Sequence, residues 1–201
     1  MNKPEIDKFL DSFQDKKDKT IVIVDFGNVE KWKRSLKWII SIKQLARLVK
    51  NLSLGQRALR RFYYGSDYGS NESTYLTGWS KSIMEKAKMN KFSVVTKRVK
   101  YIHSRNNEFG FEKKSDLDVE MAIDLVKLKD NYEIILLFSG DGDLVYALKY
   151  LNEFYNKKCY IFSARNHTGR EIFEAKRNQT IKDILFAEDF EFYLKENAES
   201  R

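Results

Sequence analysis

Proline occurs once in the 201 residues, at Pro4, and cysteine once, at Cys159. A lone thiol cannot close an internal disulfide, and a lone proline leaves no Pro-rich linker, so one compact unit is expected. Two histidines and one cysteine are too few for a Cys/His zinc site. No apolar run approaches the roughly 18 residues needed to span a bilayer. The N-terminal MNKPEIDKFLDSFQDKKDK carries charge throughout and lacks the apolar stretch of a secretory signal. No internal repeat or low-complexity segment is present. The expectation is a cytoplasmic protein with no membrane partner.

The chain has enough apolar residues, 42% with 14% aromatic, to build a core. Lys and Arg number 37 against 29 Asp and Glu, a formal net charge of +8. That excess is unevenly placed: net +6 over residues 1–80, +7 over 81–115, and −5 over 116–201. Nucleic-acid phosphates favour the basic part and a divalent cation favours the acidic part. A solvated Lys-rich face would explain the basic run equally well. It does not explain where the acids fall.

TIVIVD, 20–25, and EIILLFS, 133–139, are continuous apolar runs of strand length, the pattern of strands buried on both faces of a parallel sheet. Three more strands are expected over 57–64, 92–99 and 157–164. Helical spacing marks 4–17, with Ile6, Phe9, Leu10 and Phe13 on one stripe, and then 40–51, 73–89, 117–129, 144–154 and 170–177. Residues 100–115 read as a basic loop or hairpin, and the apolar stretch around Ile181–Phe192 is ambiguous. Strands alternating with helices imply βαβ units and a parallel sheet covered by helices.

In such sheets ligands bind beyond the carboxyl ends of the strands. The two most buried strands are followed by Asp25-Phe26-Gly27-Asn28 and by Ser139-Gly140-Asp141-Gly142-Asp143. If the strands are neighbours, three carboxylates meet Asn28 and Ser139 in one crevice. Gly140 and Gly142 are expected to let the backbone turn sharply there. Asp118 and Asp124 lie six residues apart on a helix, about 600° of rotation, so they face different ways. Asp118 would add a fourth carboxylate, Asp124 would sit at the periphery, and Asp116 would either add an acid or cap the helix.

Crowded carboxylates repel one another unless a cation compensates. Oxygen ligands without His or Cys suit Mg²⁺ or Mn²⁺, which promote phosphodiester hydrolysis. Taken singly, Asp143 could merely cap the helix from Leu144, and Asp25 could close a turn. For the group, capping would have to explain three elements ending in acids at one edge. In the basic segment, Tyr101, His103, Phe109 and Phe111 interleave with Lys97, Arg98, Lys100, Arg105, Lys113 and Lys114. Aromatics beside cations is the composition of a single-strand track, or of a packed hairpin.

Asp25-x-x-Asn28 after one buried strand, Asp118-Val-x-Met-Ala-x-Asp124 on a helix, and Ser139-Gly-Asp-Gly-Asp143-Leu after another strand resemble the NYN domain. This is the PIN-like nuclease group that includes LabA-like proteins. The resemblance runs in order from about residue 20 to about residue 190. It implies a Rossmann-like three-layer α/β/α sandwich with a mainly parallel sheet over residues 20–195. Residues 1–19 would form an N-terminal helical extension and 196–201 a tail. It further implies metal-dependent cleavage of RNA. Asp25, Asp118, Asp141 and Asp143 would hold Mg²⁺ or Mn²⁺, while Asn28 and Ser139 would orient a ligand or a metal-bound water. Asp116 and Asp124 would be accessory. Family members often carry Lys-Gly-Val where this chain has Ser115-Asp116-Leu117.

The expected function is therefore an endoribonuclease with an aspartate-held metal. The basic segment, helped by Arg60, Arg61 and Arg165, would grip single-stranded or looped RNA. A nucleic-acid-binding regulatory module without turnover, or a metal-dependent phosphohydrolase of small molecules, are the alternatives. Trp32 and Trp38 leave room for core packing, base stacking or a homodimer contact.

Overall fold

In the computed structural model, which describes residues 4–8, 19–52, 58–104 and 110–195, strand β1 (Thr20–Asp25) runs through the centre of the sheet. Ile21, Val22, Ile23 and Val24 are all fully buried. Each such side chain contributes about 1.5–3 kcal/mol of transfer free energy. The continuous apolar run is explained by burial on both faces. Val22 and Val24 point into one core layer, and Ile21 and Ile23 into the other.

The other strands are β2 (Leu59–Ser66), β3 (Ser93–Arg98), β4 (Lys100–His103), β5 (Phe111–Lys114), β6 (Ile134–Phe138), β7 (Lys158–Ser163) and β8 (Ile181–Phe186). Six of them form one all-parallel sheet in the order β3-β2-β1-β6-β7-β8. The segment 100–114 forms a separate antiparallel hairpin, with Lys100 opposite Lys114 and His103 opposite Phe111. The ambiguous C-terminal stretch resolves into edge strand β8 followed by short helical turns.

Eight α-helices follow β1 among the described residues. On one face of the sheet lie α1 (Phe26–Lys31), α2 (Lys33–Leu36), α3 (Ile42–Leu52), α4 (Gly78–Met89) and α8 (Glu191–Leu194); on the other lie α5 (Asp118–Lys127), α6 (Val145–Tyr155) and α7 (Arg170–Arg177). The protein is thus a three-layer α/β/α sandwich. Helix α4 begins at 78 rather than 73 because Thr77 caps it, accepting the Ser80 N–H. Helix α6 ends where Asn156 turns left-handed, a conformation asparagine tolerates.

Residues 4–8 are helical, and Ile6 joins the core layer of α3 and α8. Tyr193 Oη donates to Asp7 Oδ1 beside it. Phe9, Leu10 and Phe13 of the expected N-terminal stripe lie outside the described residues. Trp32 is fully buried in the core, and Trp38 packs against that layer. Cys159 is buried in β7, where desolvation pushes its thiol up to about 12, so it stays an unreactive SH.

Candidate metal centre

The chain order reverses between β1 and β6, so their carboxyl ends open onto the crevice of a doubly wound sheet. Val24 pairs with Phe138, which sets Asp25 beside Ser139. Ser139 is fully buried, and its Oγ donates to Asp25 Oδ2 at 3.2 Å while accepting the Asp141 N–H at 3.1 Å. Asp25 Oδ1 accepts the Asn28 N–H at 3.1 Å and so caps α1. The capping account is therefore correct for Asp25. It fails for Asp143, which makes no capping bond to α6 and is exposed.

Asn28 is a strut between two elements. Its Oδ1 accepts from Trp32 Nε1 at 2.7 Å and from the Gly140 N–H at 3.0 Å. The backbone does bend at Gly142 and turn at 143–144, as expected, but neither Gly140 nor Gly142 needs left-handed backbone to do so. Gly140 is needed for space. A Cβ there would lie 1.7 Å from the His167 carbonyl oxygen, and Gly140 O accepts the Gly169 N–H at 2.8 Å. The turn after β6 is thus pressed against the segment after β7.

Asp118 enters from the first turn of α5. One carboxylate oxygen from each of Asp118, Asp141 and Asp143 can be chosen so that all lie within 4.8 Å of one another. Asp25 lies outside this triad but close enough to raise the Asp118 pKa. Burial, the hydrogen-bonded Asp116 and the charges of Asp141 and Asp25 push the Asp118 carboxyl up to about 7. Asp116 accepts the Asp118 N–H at 3.1 Å, and hydrogen bonding holds its own carboxyl below the usual value. Asp25 is also raised, chiefly by burial, against the lowering effect of its Asn28 and Ser139 hydrogen bonds. An oxygen-only donor set with uncompensated negative charge suits a hard divalent cation.

Asp124 faces away from this centre. Tyr63 Oη donates to it at 2.7 Å, and Arg61 Nε lies 3.8 Å from it.

Asp25, Asp116, Asp118 and Asp141 line a cleft of about 380 Å³ whose walls include Lys31, Tyr64, Asp67, Trp79 and Lys113; Asp143 stands outside its lining. Asp67 latches the hairpin to this wall. It accepts from Lys113 Nζ at 2.8 Å, from Tyr101 Oη at 2.6 Å and from the Gly69 N–H at 2.8 Å. Sequence reasoning missed Asp67, although it follows β2 at the same carboxyl edge that singled out Asp25 and Asp141. Lys31, Glu30 and Trp79 were also missed.

Several of the basic residues serve the protein itself. Lys97 Nζ pairs with Glu120 at 2.8 Å. One Arg98 guanidinium nitrogen donates to the carbonyls of Ser70, Asn71 and Ser73, and the group lies 4.6 Å from the Tyr68 ring centroid. Arg165 pairs with Asp189 at 2.7 Å. Lys100 and Lys114 are exposed on the hairpin, while Arg105 and Phe109 lie outside the described residues. His103 and Phe111 stack across the hairpin, 4.5 Å between centroids.

A family model for the NYN domain matches residues 19–185. A stretch of 60 residues is 37% identical to the Low amplitude and bright protein LabA of Synechococcus elongatus. It covers 30% of this chain and 32% of that protein, so the match spans about a third of the relative's length. The crystal structure of a protein of unknown function from Vibrio parahaemolyticus matches with a TM-score of 0.67 at 18% identity, over 90% of this chain and 98% of that one. At that identity the likeness is one of fold. No helix among the described residues is long and apolar enough to cross a membrane.

Proposed function

This chain belongs to the NYN domain family, in the PIN-like nuclease superfamily, and from that premise we propose that it is a metal-dependent endoribonuclease. The observation that carries the reading is the convergence of Asp118, Asp141 and Asp143 at the switch point of the sheet. These three would hold Mg²⁺ or Mn²⁺. When bound, such an ion acts as a Lewis acid on the phosphoryl oxygen and acidifies a coordinated water.

The chain's own groups do the rest. Asp25, fixed by Ser139 and the Asn28 N–H, adds negative charge beneath the triad and completes the acidic floor. Asn28 holds the Gly140 turn, and with it Asp141, at a set distance from α1. Ser139 fixes the Asp141 backbone directly. Lys31 and Lys113 flank the floor and attract the anionic strand, Lys113 with part of its charge offset by Asp67. Lys100 and Lys114 extend that attraction along the hairpin. The acidic cleft adjoins a second cleft at Glu30 and Trp79, and a strand laid over that shared wall would continue past the floor, as internal cleavage requires.

The test is cleavage of end-labelled single-stranded RNA with Mg²⁺ or Mn²⁺. Internal products that vanish with EDTA and in Asp141→Asn support the reading. Equal cleavage by Asp141→Asn, or cleavage insensitive to EDTA, excludes it.

A further inference from the structure

The second cleft, about 420 Å³, lies between α4 and the segment from α1 to the start of α3. Its character is unlike that of the acidic floor. Trp79, Ile39 and Met89 line it and are 62%, 64% and 82% exposed, an unusual grouping of large apolar side chains at one surface. Around them stand Lys33, Lys43 and Lys86, all exposed and none in an ion pair among the described residues. Glu30 is the one acid in its lining, and Glu30 and Trp79 also line the acidic cleft. The two hollows therefore share a wall, with Trp79 on it.

Trp79 is held there by its neighbour in the chain. Ser80 is fully buried; its backbone N–H is bonded to Thr77, while its Oγ accepts the Asp67 N–H at 2.9 Å and pairs with Tyr64 Oη at 3.1 Å. The first turn of α4 is pinned on its inner side, so the backbone that carries the indole is fixed while the indole itself stays out of the core. A flat aromatic face, uncovered and carried on a fixed helix turn, next to three cations and an apolar floor is the chemistry that receives a nucleobase and its phosphate.

We propose that this cleft is a nucleotide subsite, in which the base flanking the scissile phosphate stacks on Trp79 while Lys33, Lys43 and Lys86 attract the neighbouring phosphates. The assignment rests on the ribonuclease reading for the word scissile, but the stacking itself does not need cleavage. Adjacency to the acidic cleft, over the shared wall of Glu30 and Trp79, gives the strand its path. The charge contrast gives it a polarity, with phosphates drawn to the lysines and the metal taking the acids. Because every base offers a π face, the subsite selects unpaired nucleotides over duplex rather than one base over another.

The probe is a short single-stranded RNA, titrated into the full chain carrying Asp141→Asn in EDTA, with tryptophan fluorescence as the readout. Trp32 is buried and Trp38 is half-buried against the core, and neither lines the cleft, so the two supply a background that stacking at this site does not reach. RNA is expected to quench the fluorescence. Trp79→Phe should abolish that quench and keep the affinity within a few-fold, while Trp79→Ala should weaken binding by about tenfold or more. Unchanged affinity in Trp79→Ala, a quench that survives in Trp79→Phe, or no RNA binding at all overturns the subsite. Wild-type protein that quenches normally yet cleaves no RNA with Mg²⁺ or Mn²⁺ overturns the ribonuclease reading and leaves the subsite standing. Cleavage with the same rate and site choice in Trp79→Ala does the reverse.

Discussion

Asn28 Oδ1 lies 3.0 Å from the backbone nitrogen of Gly140, a hydrogen bond that joins the helix after β1 to the turn after β6 across 112 residues. The same oxygen satisfies the buried Trp32 indole. Asn28→Ala removes both bonds at once, and each donor left unsatisfied costs about 1–3 kcal/mol. A loss of stability of about 2–4 kcal/mol is expected in urea titration. RNA cleavage should fall even at temperatures where the variant is fully folded, because Asp141 loses its anchor. A variant as stable as the parent would rule out the strut.

Gly140→Ala is expected to be severe. Its Cβ would meet a backbone carbonyl, that of His167, and backbone cannot swing aside as the end of a side chain can. Overpacking of this kind costs about 1–3 kcal/mol or more. Gly142→Ala meets only the Glu171 side chain, whose carboxylate can swing away and whose Cβ, 2.9 Å off, needs a small shift, so it should be milder. Thermal midpoints of the two variants should therefore rank Gly140→Ala well below Gly142→Ala, and the opposite order would contradict the packing described.

Asp118, raised to about 7, makes the metal-free protein sensitive to pH in a definite direction. Below about pH 4 the folded and unfolded chains both hold its proton. Between about pH 4 and 7 the unfolded chain releases that proton and the folded chain does not, so folding loses stability as pH rises. Asp25, also raised, acts in the same sense. Asp118→Asn should flatten this slope in EDTA. Metal must displace the proton, so the rise in melting temperature on adding Mn²⁺ should grow from about pH 5 to pH 8. A rise independent of pH would count against Asp118 as a ligand.

Asp124 gives the contrasting case. It is bound to Tyr63 Oη and near Arg61, and burial with that neighbouring acid holds the Tyr63 phenol above its usual range. Tyr63→Phe should lower stability by about 1–2 kcal/mol, since it leaves a half-buried carboxylate short of a donor. Asp124→Asn, which keeps an acceptor for Tyr63, should bind Mn²⁺ like the parent in calorimetry. Loss of metal binding in Asp124→Asn would move Asp124 into the centre.

The parts of this structure that could be read from sequence are those where one environment dictates residue type. β1 and β6 are buried on both faces, so almost every position is apolar, and the acids that follow them stand out. β8 was ambiguous because it is an edge strand in which Lys182 and Asp183 reach outward amid apolar neighbours. Gly140 stood out only for its freedom to turn; the close approach of the His167 carbonyl also demands glycine there, a contact that local sequence does not encode. Lys97 and Arg98 looked like phosphate ligands, yet Glu120 and the carbonyls of 70–73 use them, and such partners are invisible to a charge count. Trp79 escaped because a lone tryptophan in a helix pattern normally reads as core.

The adjacency of β1 and β6 fixes when the acidic centre can exist. Asp25 leaves the ribosome more than a hundred residues before its neighbour Ser139, and Asp141 and Asp143 follow only after that. The turn that carries them is then braced by residues 163–169, which emerge later still. A nascent chain therefore stays without its assembled centre for at least the 114 residues that separate Asp25 from Ser139, made at about 5–20 residues per second. Under the nuclease reading proposed above, the acids that would cut RNA come together only after the bracing segment 163–169 has itself been made.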